Sequence, residues 1–171
     1  RERLAWLLSN YQQPALVEEF LPGREFTVAL IGNDSPRLLP VMEILPGEQC
    51  PQNSHFVYSF ETKSGNLERF SCPAAVEPGL LYQIQEMVLQ VFGALQCRDV
   101  ARVDLRLDRE GTPRFLEINP LPGLSAVSLL TLQAQAVEMS FAQLIEAILS
   151  AAIERYPHLR SKANLKEAAF G

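Results

Sequence analysis

The chain has 171 residues, enough for one domain with its own hydrophobic core. Its residues are 47% hydrophobic and 20% charged, a composition typical of soluble globular proteins. The net charge is −5, and the 15 Lys and Arg residues are scattered along the chain, which argues against a surface for nucleic acid or for an anionic membrane. No run of uncharged apolar residues is long enough to cross a bilayer.

Three cysteines, Cys50, Cys72 and Cys97, match no metal-ligand spacing, and an odd number cannot be fully paired within one chain. This pattern favours three reduced thiols in a cytoplasmic protein. Residues 1–8 read as the middle of a helix without an initiator Met or a cap. We therefore interpret the sequence as a piece of something longer.

In the first half of the chain, helical spacing of leucines predicts a helix over 1–10, and 15–20 reads as a short strand. Two apolar, β-prone runs follow at 26–31 and 37–44. The Gly-Asn-Asp-Ser-Pro segment between them is typical of a hairpin turn, because Gly, Asn and Asp tolerate positive backbone angles. Over residues 45–73 the periodicity disappears, and a stretch of that length without regular structure is usually functional or disordered.

In the second half, Ser140 and Gln143 form a capping-box pair at the start of the last predicted helix. The mixed order of strands and helices predicts an α+β fold with a mainly antiparallel sheet flanked by helices, in one domain over residues 1–156. A polar or Ala-rich tail over 157–171 is expected to be mobile. The predicted elements of this half are helices over 78–97, 125–136 and 140–155 and strands over 100–107 and 114–119.

The last two predicted strands carry the most informative pattern. Because strand side chains alternate between faces, Arg102, Asp104 and Arg106 share one face of the first strand, opposite an apolar face. A loop of two or four residues between the strands would place Asp104 opposite Glu117 and Arg102 opposite Asn119. An odd loop would put these partners on different faces.

The side chains of this hairpin suit a site for a hard cation and phosphate. Two carboxylates and one amide are oxygen ligands of the kind that Mg²⁺ prefers, and Arg102 adds a positive fork for phosphate or an oxyanion. The Asn-Pro-Leu-Pro-Gly-Leu-Ser segment that follows is a rigid loop leading to a helix start, where free N–H groups attract anions, and Ser128 lies one turn in. The alternatives are a strand face in solvent and a proline-shaped connector with Ser125 as an N-cap.

These residues resemble the C-terminal, ATP-grasp portion of the D-alanine–D-alanine ligase family. The resemblance runs in the same order over nearly the whole chain, and it implies the C-terminal subdomain of an ATP-grasp fold. It rests on Arg102-x-Asp104, Asp108-x-x-Gly111, Leu116-Glu117-x-Asn119 and Pro122-Gly123-Leu124, together with the segments 17–28, 70–74 and 139–144.

The resemblance implies a site for ATP and two Mg²⁺ ions, with Mn²⁺ as an alternative metal. Asp104, Glu117 and Asn119 would hold the metal ions, with Glu117 bridging them. Lys63 would reach the phosphates, and Arg102 would stabilise the oxyanion.

The nucleotide itself would lie against the segment that precedes the first long strand. By the resemblance, Glu18 would face the adenine amino group, and the main chain of Glu19, Phe20 and Leu21 would bind the base. Glu25 would bind the ribose hydroxyls.

The loop after Asn119 would serve the substrates. The resemblance implies that the backbone N–H of Gly123 helps to stabilise the oxyanion. Ser128 would take the carboxylate of the second substrate, and Gly123 and Leu124 would line its site.

The implied activity is an ATP-dependent ligation of two small amino-acid substrates through an acyl phosphate, which forms a dipeptide for peptidoglycan precursors. The family's N-terminal substrate domain and central subdomain have no counterpart here, so they would be partners of this chain, which alone is expected to be inactive. A homodimer is left open. No nucleic-acid or membrane partner is expected.

Two residues depart from the family pattern. Ser64 stands where D-alanine-forming members have an aromatic residue after the loop lysine, and Pro120 stands where they have Thr. Both favour the first alternative, another ATP-grasp ligase that joins different amino acids. The second alternative is a non-catalytic nucleotide-binding or interaction module that keeps the fold.

Overall fold

The computed structural model describes residues 2–47, 68–156 and 158. The predictions for Lys63, Ser64 and Cys50, and for nearly all of the tail over 157–171, concern residues outside these ranges. Within them no helix is long and apolar enough to span a membrane.

The expected α+β fold with an antiparallel sheet is confirmed. The elements in chain order are α1 (Glu2–Tyr11), β1 (Glu25–Ile31), β2 (Arg37–Leu38), β3 (Met42–Pro46), β4 (Glu68–Ser71), α2 (Pro78–Ala94), β5 (Val100–Leu107), β6 (Pro113–Asn119), α3 (Leu129–Gln135) and α4 (Phe141–Glu154). The strands lie in the order β4-β3-β1-β5-β6, β2 pairs with β1, and all of these pairings are antiparallel.

One face of the sheet packs on α2. Phe26 and Val28 of β1 and Val103 and Leu105 of β5 are fully buried there, in one cluster with Ile84 of the helix. Burial of each such side chain stabilises the fold by about 1.5–3 kcal/mol. This apolar face therefore fixes β1 and β5 as the centre of the sheet.

The opposite face is covered at one end by α3 and α4. Ala29, Ile31 and Val100 pack there with Leu130 and Leu144 of these helices. Further along the same face the side chains of β5 are charged. The sheet thus presents a polar surface next to the end of α3.

The predicted hairpin at Gly32 is confirmed, with Leu30 opposite Leu38 and a φ of 124° at the glycine. The predicted second run is split into β2 and β3, because its register against β1 shifts by one residue between Leu38, opposite Leu30, and Met42, opposite Thr27. At this gap the N–H of Ala29 donates instead to Oε1 of Gln133, at 2.8 Å.

Two other predicted elements differ from the structure, and one strand is additional. The strand at 15–20 is wrong: no described strand pairs with this segment, and Val17 is 73% exposed, so its β-prone side chains have no sheet to join. β4 was not predicted. The helix predicted from Ser125 begins at Leu129, because Ser128 has an extended backbone and acts as its N-cap. The capping box of Ser140 is confirmed with both hydrogen bonds.

Candidate active site

The β5–β6 hairpin places Arg102 opposite Asn119 and Asp104 opposite Glu117, which is the predicted pairing. The predicted even loop is wrong, since Leu107 pairs with Pro113 and five residues lie between them. A β-bulge on β6 adds one residue before Glu117 and restores the alternation. The odd-numbered loop and the extra bulge residue compensate for each other. Arg102, Asp104, Glu117 and Asn119 therefore share one face of the hairpin.

Asp104 is the best-fixed side chain of this face. Arg102 donates from Nε to Oδ1 at 2.9 Å and from Nη2 to Oδ2 at 2.7 Å. Thr27, directly opposite on β1, donates its hydroxyl to Oδ1 at 2.5 Å. Three of about four acceptor positions of the carboxylate are thus used, and one on Oδ2 remains.

The neighbouring ligand candidates are more open. Glu117 is exposed and makes no hydrogen bond or ion pair with any residue that the structure describes. Asn119 Oδ1 accepts from the N–H of Leu121 at 3.0 Å, which leaves one lone pair.

This donor set fits magnesium. Acceptor positions remain on Asp104, Glu117 and Asn119, and all of them are hard oxygens on one strand face. No group of three or more His, Cys, Asp and Glu side chains within 2–47 and 68–156 could hold a metal. In the predicted ligand set the amide of Asn119 would supply the third protein oxygen, and water or phosphate oxygens would supply the rest.

The residues predicted to bind the nucleotide, except Lys63, which lies outside the described ranges, lie together in an open depression of about 320 Å³ next to this face. It lies at the end of β5 that is opposite to α3 and α4. Its lining consists of Glu18, Glu19, Phe20, Leu21, Glu25, Arg106, Phe115 and Leu116.

A backbone contact holds residues 18–25, which are predicted to bind the nucleotide and are called the nucleotide segment below, against β5. The N–H of Gly23 donates to the carbonyl of Leu107 at 3.0 Å, and the N–H of Leu107 donates to the carbonyl of Arg24 at 2.9 Å. A Cβ on Gly23 would lie 2.5 Å from the Leu107 oxygen. Only glycine permits this close approach of the two backbones.

The next residue ties the segment to β3. Arg24 binds Glu43 through two hydrogen bonds of 2.7 and 2.6 Å and donates to the carbonyl of Ala75 at 2.8 Å. The hydrogen bond to Glu43 raises the pKa of Arg24. The segment thus enters β1 in a fixed direction.

Arg106 is the site residue to which the sequence analysis gave no role. It donates from Nε to the carbonyl of Gly23 at 3.0 Å and from Nη1 to Glu25 at 3.1 Å, and its Cζ lies 5.1 Å from the ring centre of Phe20. Burial lowers its pKa, an effect that the charge of Glu25 opposes. Its shared face with Arg102 and Asp104 was the signal that could have identified it.

The loop after Asn119 brings the predicted substrate residues together. Gly123 and Leu124 are exposed, and a Cβ on Gly123 would lie 3.8 Å from the Cβ of Ser128. The Ser128 side chain accepts from the N–H of Thr131 at 3.4 Å, and its Oγ lies 3.0 Å from the Thr131 hydroxyl. Ser128 is therefore both a helix cap and a neighbour of the predicted oxyanion donor.

Comparisons with known proteins identify the family of this chain. Residues 3–150 match the family described as D-ala D-ala ligase C-terminus. The uncharacterized protein y4sG of Sinorhizobium fredii is 40% identical over 159 residues, which cover 91% of this chain and 46% of that protein. The D-alanine--D-alanine ligase of Bordetella avium is 37% identical over 145 residues, 83% of this chain and 43% of the ligase.

A solved structure shares the fold. The D-alanine--D-alanine ligase from Bacillus anthracis complexed with ATP superposes with a TM-score of 0.69 at 21% identity, covering 90% of this chain and 46% of that one. The chain spans less than half the length of each of these relatives. By its match over 3–150, it belongs to the D-ala D-ala ligase C-terminus family.

Proposed function

We propose that this chain is the nucleotide- and magnesium-binding half of an ATP-dependent carboxylate–amine ligase of D-alanine–D-alanine ligase type. Such a ligase forms a dipeptide for peptidoglycan precursors. The observation that carries the proposal is the polar face of β5 and β6, with Asp104 opposite Glu117, directly beside the depression that gathers the nucleotide segment. The Bordetella avium relative, named for this activity, supports it.

The nucleotide would lie along β5. Alternate residues of a strand are about 6.6 Å apart, so Arg106, Asp104 and Arg102 span roughly 13 Å on one face. Glu25, paired with Arg106, marks the base and ribose end. Asp104 and Arg102 mark the phosphate end. The order of these residues along β5 would thus match the order of the groups of ATP, from the ribose to the last phosphate.

The metal ions would be held by Asp104, Glu117 and Asn119, with two Mg²⁺ as the proposed number. When bound, they neutralise charge on the phosphates. Glu117 suits a bridging role because its carboxylate is exposed and has no partner among the described residues. Asp104 suits a fixed terminal role because Thr27 and Arg102 hold its orientation.

The proposed reaction transfers the last phosphoryl group of ATP to the carboxylate of one amino acid. The amine of the second amino acid then attacks the acyl phosphate, and phosphate leaves. The protein contributes mainly positioning and charge. Arg102, held by Asp104, and the N–H of Gly123 would stabilise the oxyanion. Loss of one such donor costs on the order of a hundredfold or more in rate, so we expect Arg102→Ala to abolish turnover of a ligase that contains this chain.

Thermal unfolding of the chain with Mg²⁺ and ATP tests the site. Ligand at about a hundred times its dissociation constant adds roughly 2.7 kcal/mol to the free energy of unfolding. For a domain of this size that raises Tm by about 5–10 °C. Glu117→Gln should lose the metal-dependent part of the shift, because it removes the bridging charge.

Glu110→Gln is the matched control, since it removes the same charge from the exposed turn of the same hairpin. It should keep the full shift. Wild-type protein that shows neither a shift nor binding in equilibrium dialysis would refute the nucleotide site. A Glu117→Gln protein that responds like the wild type would refute the metal assignment. A product screen with pairs of amino acids would then identify the substrates of a ligase containing this chain.

A further inference from the structure

Arg106 contacts the nucleotide segment at three separate points. From the neighbouring strand β5 it reaches the ring of Phe20, the carbonyl of Gly23 and the carboxylate of Glu25. Two of these three residues, Phe20 and Glu25, line the nucleotide depression together with Arg106 itself. One side chain thus connects the segment to the strand that carries Asp104.

The ion pair with Glu25 is almost completely buried. The Arg106 side chain is 9% exposed and that of Glu25 is 8% exposed. Two charges removed from water are stable only when their partners and geometry are kept. Each therefore fixes the position of the other.

A second bonded pair of side chains lies across β1 and β5, next to the pair of Arg106 and Glu25. Arg106 lies opposite Glu25, and Asp104 lies opposite Thr27. In both pairs a side chain of β1 binds the polar side chain of β5 directly across from it. The ribose end and the metal end of the proposed site are therefore set by the same two strands.

We infer that Arg106 is a positioning residue for ribose recognition, which holds Glu25 in the orientation that accepts hydrogen bonds from the ribose hydroxyls. This inference rests on the proposed function. A carboxylate has about four acceptor positions, so an ion pair that fixes its orientation is compatible with binding two hydroxyls. Arg106 thereby makes the site select ribonucleotides over deoxyribonucleotides.

The experiment measures binding of ATP, 2′-deoxy-ATP and 3′-deoxy-ATP to the chain with Mg²⁺ by calorimetry. Wild-type protein should prefer ATP by about tenfold, the value of one hydrogen bond to a charged group. Arg106→Met should reduce the preference to about twofold or less, because Glu25 loses its orientation. The preference is a ratio within one protein, so a lower folded fraction of the variant cancels.

Arg114→Met is the matched control. Arg114 lies directly opposite Arg106 in the hairpin, but its side chain is 59% exposed and pairs with Asp108. This variant should keep the tenfold preference. If Arg106→Met does not fold, Arg106→Lys provides the test. Lysine keeps the charge but lacks the planar fork, so the preference for ATP over the deoxy analogues should fall by about threefold or more.

The outcomes separate the two claims. Wild-type protein that binds no ATP overturns the proposed function. Wild-type protein that binds ATP and both deoxy analogues equally overturns the inference alone. An unchanged tenfold preference in a folded Arg106→Met or Arg106→Lys protein also overturns the inference, because the ribose would then be recognised without Arg106.

Discussion

Replacement of Gly23 by alanine tests how the nucleotide segment is attached to the sheet. The new Cβ would lie 2.5 Å from the oxygen and 2.6 Å from the Cβ of Leu107. The oxygen is a backbone atom and the Cβ is bonded directly to the backbone, so neither atom can move away by a side-chain rotation. The clash must be absorbed by strain or relieved by detachment of the segment.

Strain and detachment would lower the free energy of unfolding by similar amounts. Overpacking of one methyl group against a fixed backbone costs about 1–3 kcal/mol. Detachment loses the two backbone hydrogen bonds between residues 23–24 and Leu107, at about 0.5–1.5 kcal/mol each. We therefore expect Gly23→Ala to lower the free energy of unfolding by about 1–3 kcal/mol. Binding of Mg²⁺ and ATP should weaken as well, because the segment carries Glu18 to Leu21.

Urea unfolding of Gly23→Ala beside Gly79→Ala measures this cost. Gly79 lies in the first turn of α2, and no atom would lie within 4 Å of its added Cβ. The same chemical change there should leave stability unchanged or raise it by up to about 1 kcal/mol. A Gly23→Ala protein as stable as wild type, with the same affinity for ATP, would contradict the backbone contact described here.

Three further predictions concern the caps and turns around the site. Ser140→Ala removes the cap of α4, including its bond to the N–H of Gln143, and should cost about 1 kcal/mol in urea unfolding. The N–H of Thr112 lowers the pKa of Asp108, so the stability that Asp108 adds is present above about pH 4 and lost as pH falls through its lowered pKa. The Tm difference between wild type and Asp108→Asn should therefore shrink on acidification. In urea unfolding, Gly123→Ala should lie within about 0.5 kcal/mol of wild type, because its Cβ meets only an ordinary contact and the backbone N–H is kept.

The sequence could predict those parts of the site that depend on local pattern. The capping box of α4 needs only two residues three positions apart, and it forms as expected. The polar face of β5 follows from alternation alone. The pairing of Asp104 with Glu117 was predicted correctly but for the wrong reason, because a five-residue loop and a β-bulge were not foreseen.

Other parts depend on contacts between distant residues. Whether 15–20 forms a strand depends on a partner strand, which propensity cannot supply. The role of Arg106 depends on Gly23 bringing the preceding segment within reach. The hydrogen bond between Ala29 and Gln133 joins residues 104 positions apart, at the gap between β2 and β3. None of these contacts leaves a periodic signal in the sequence.

The site has a buried part and an exposed part, and this difference has a consequence for specificity. Arg102 and Asp104 lie on a central strand whose alternate residues, Val103 and Leu105, are fully buried. They cannot shift without disturbing the core, which suits groups that must hold phosphates and metal ions within a fraction of an ångström. The loop over 120–127, in contrast, is almost entirely exposed. We therefore expect substitutions that change the amino-acid substrates to be tolerated in this loop, while substitutions on the polar face of β5 abolish the reaction with every substrate.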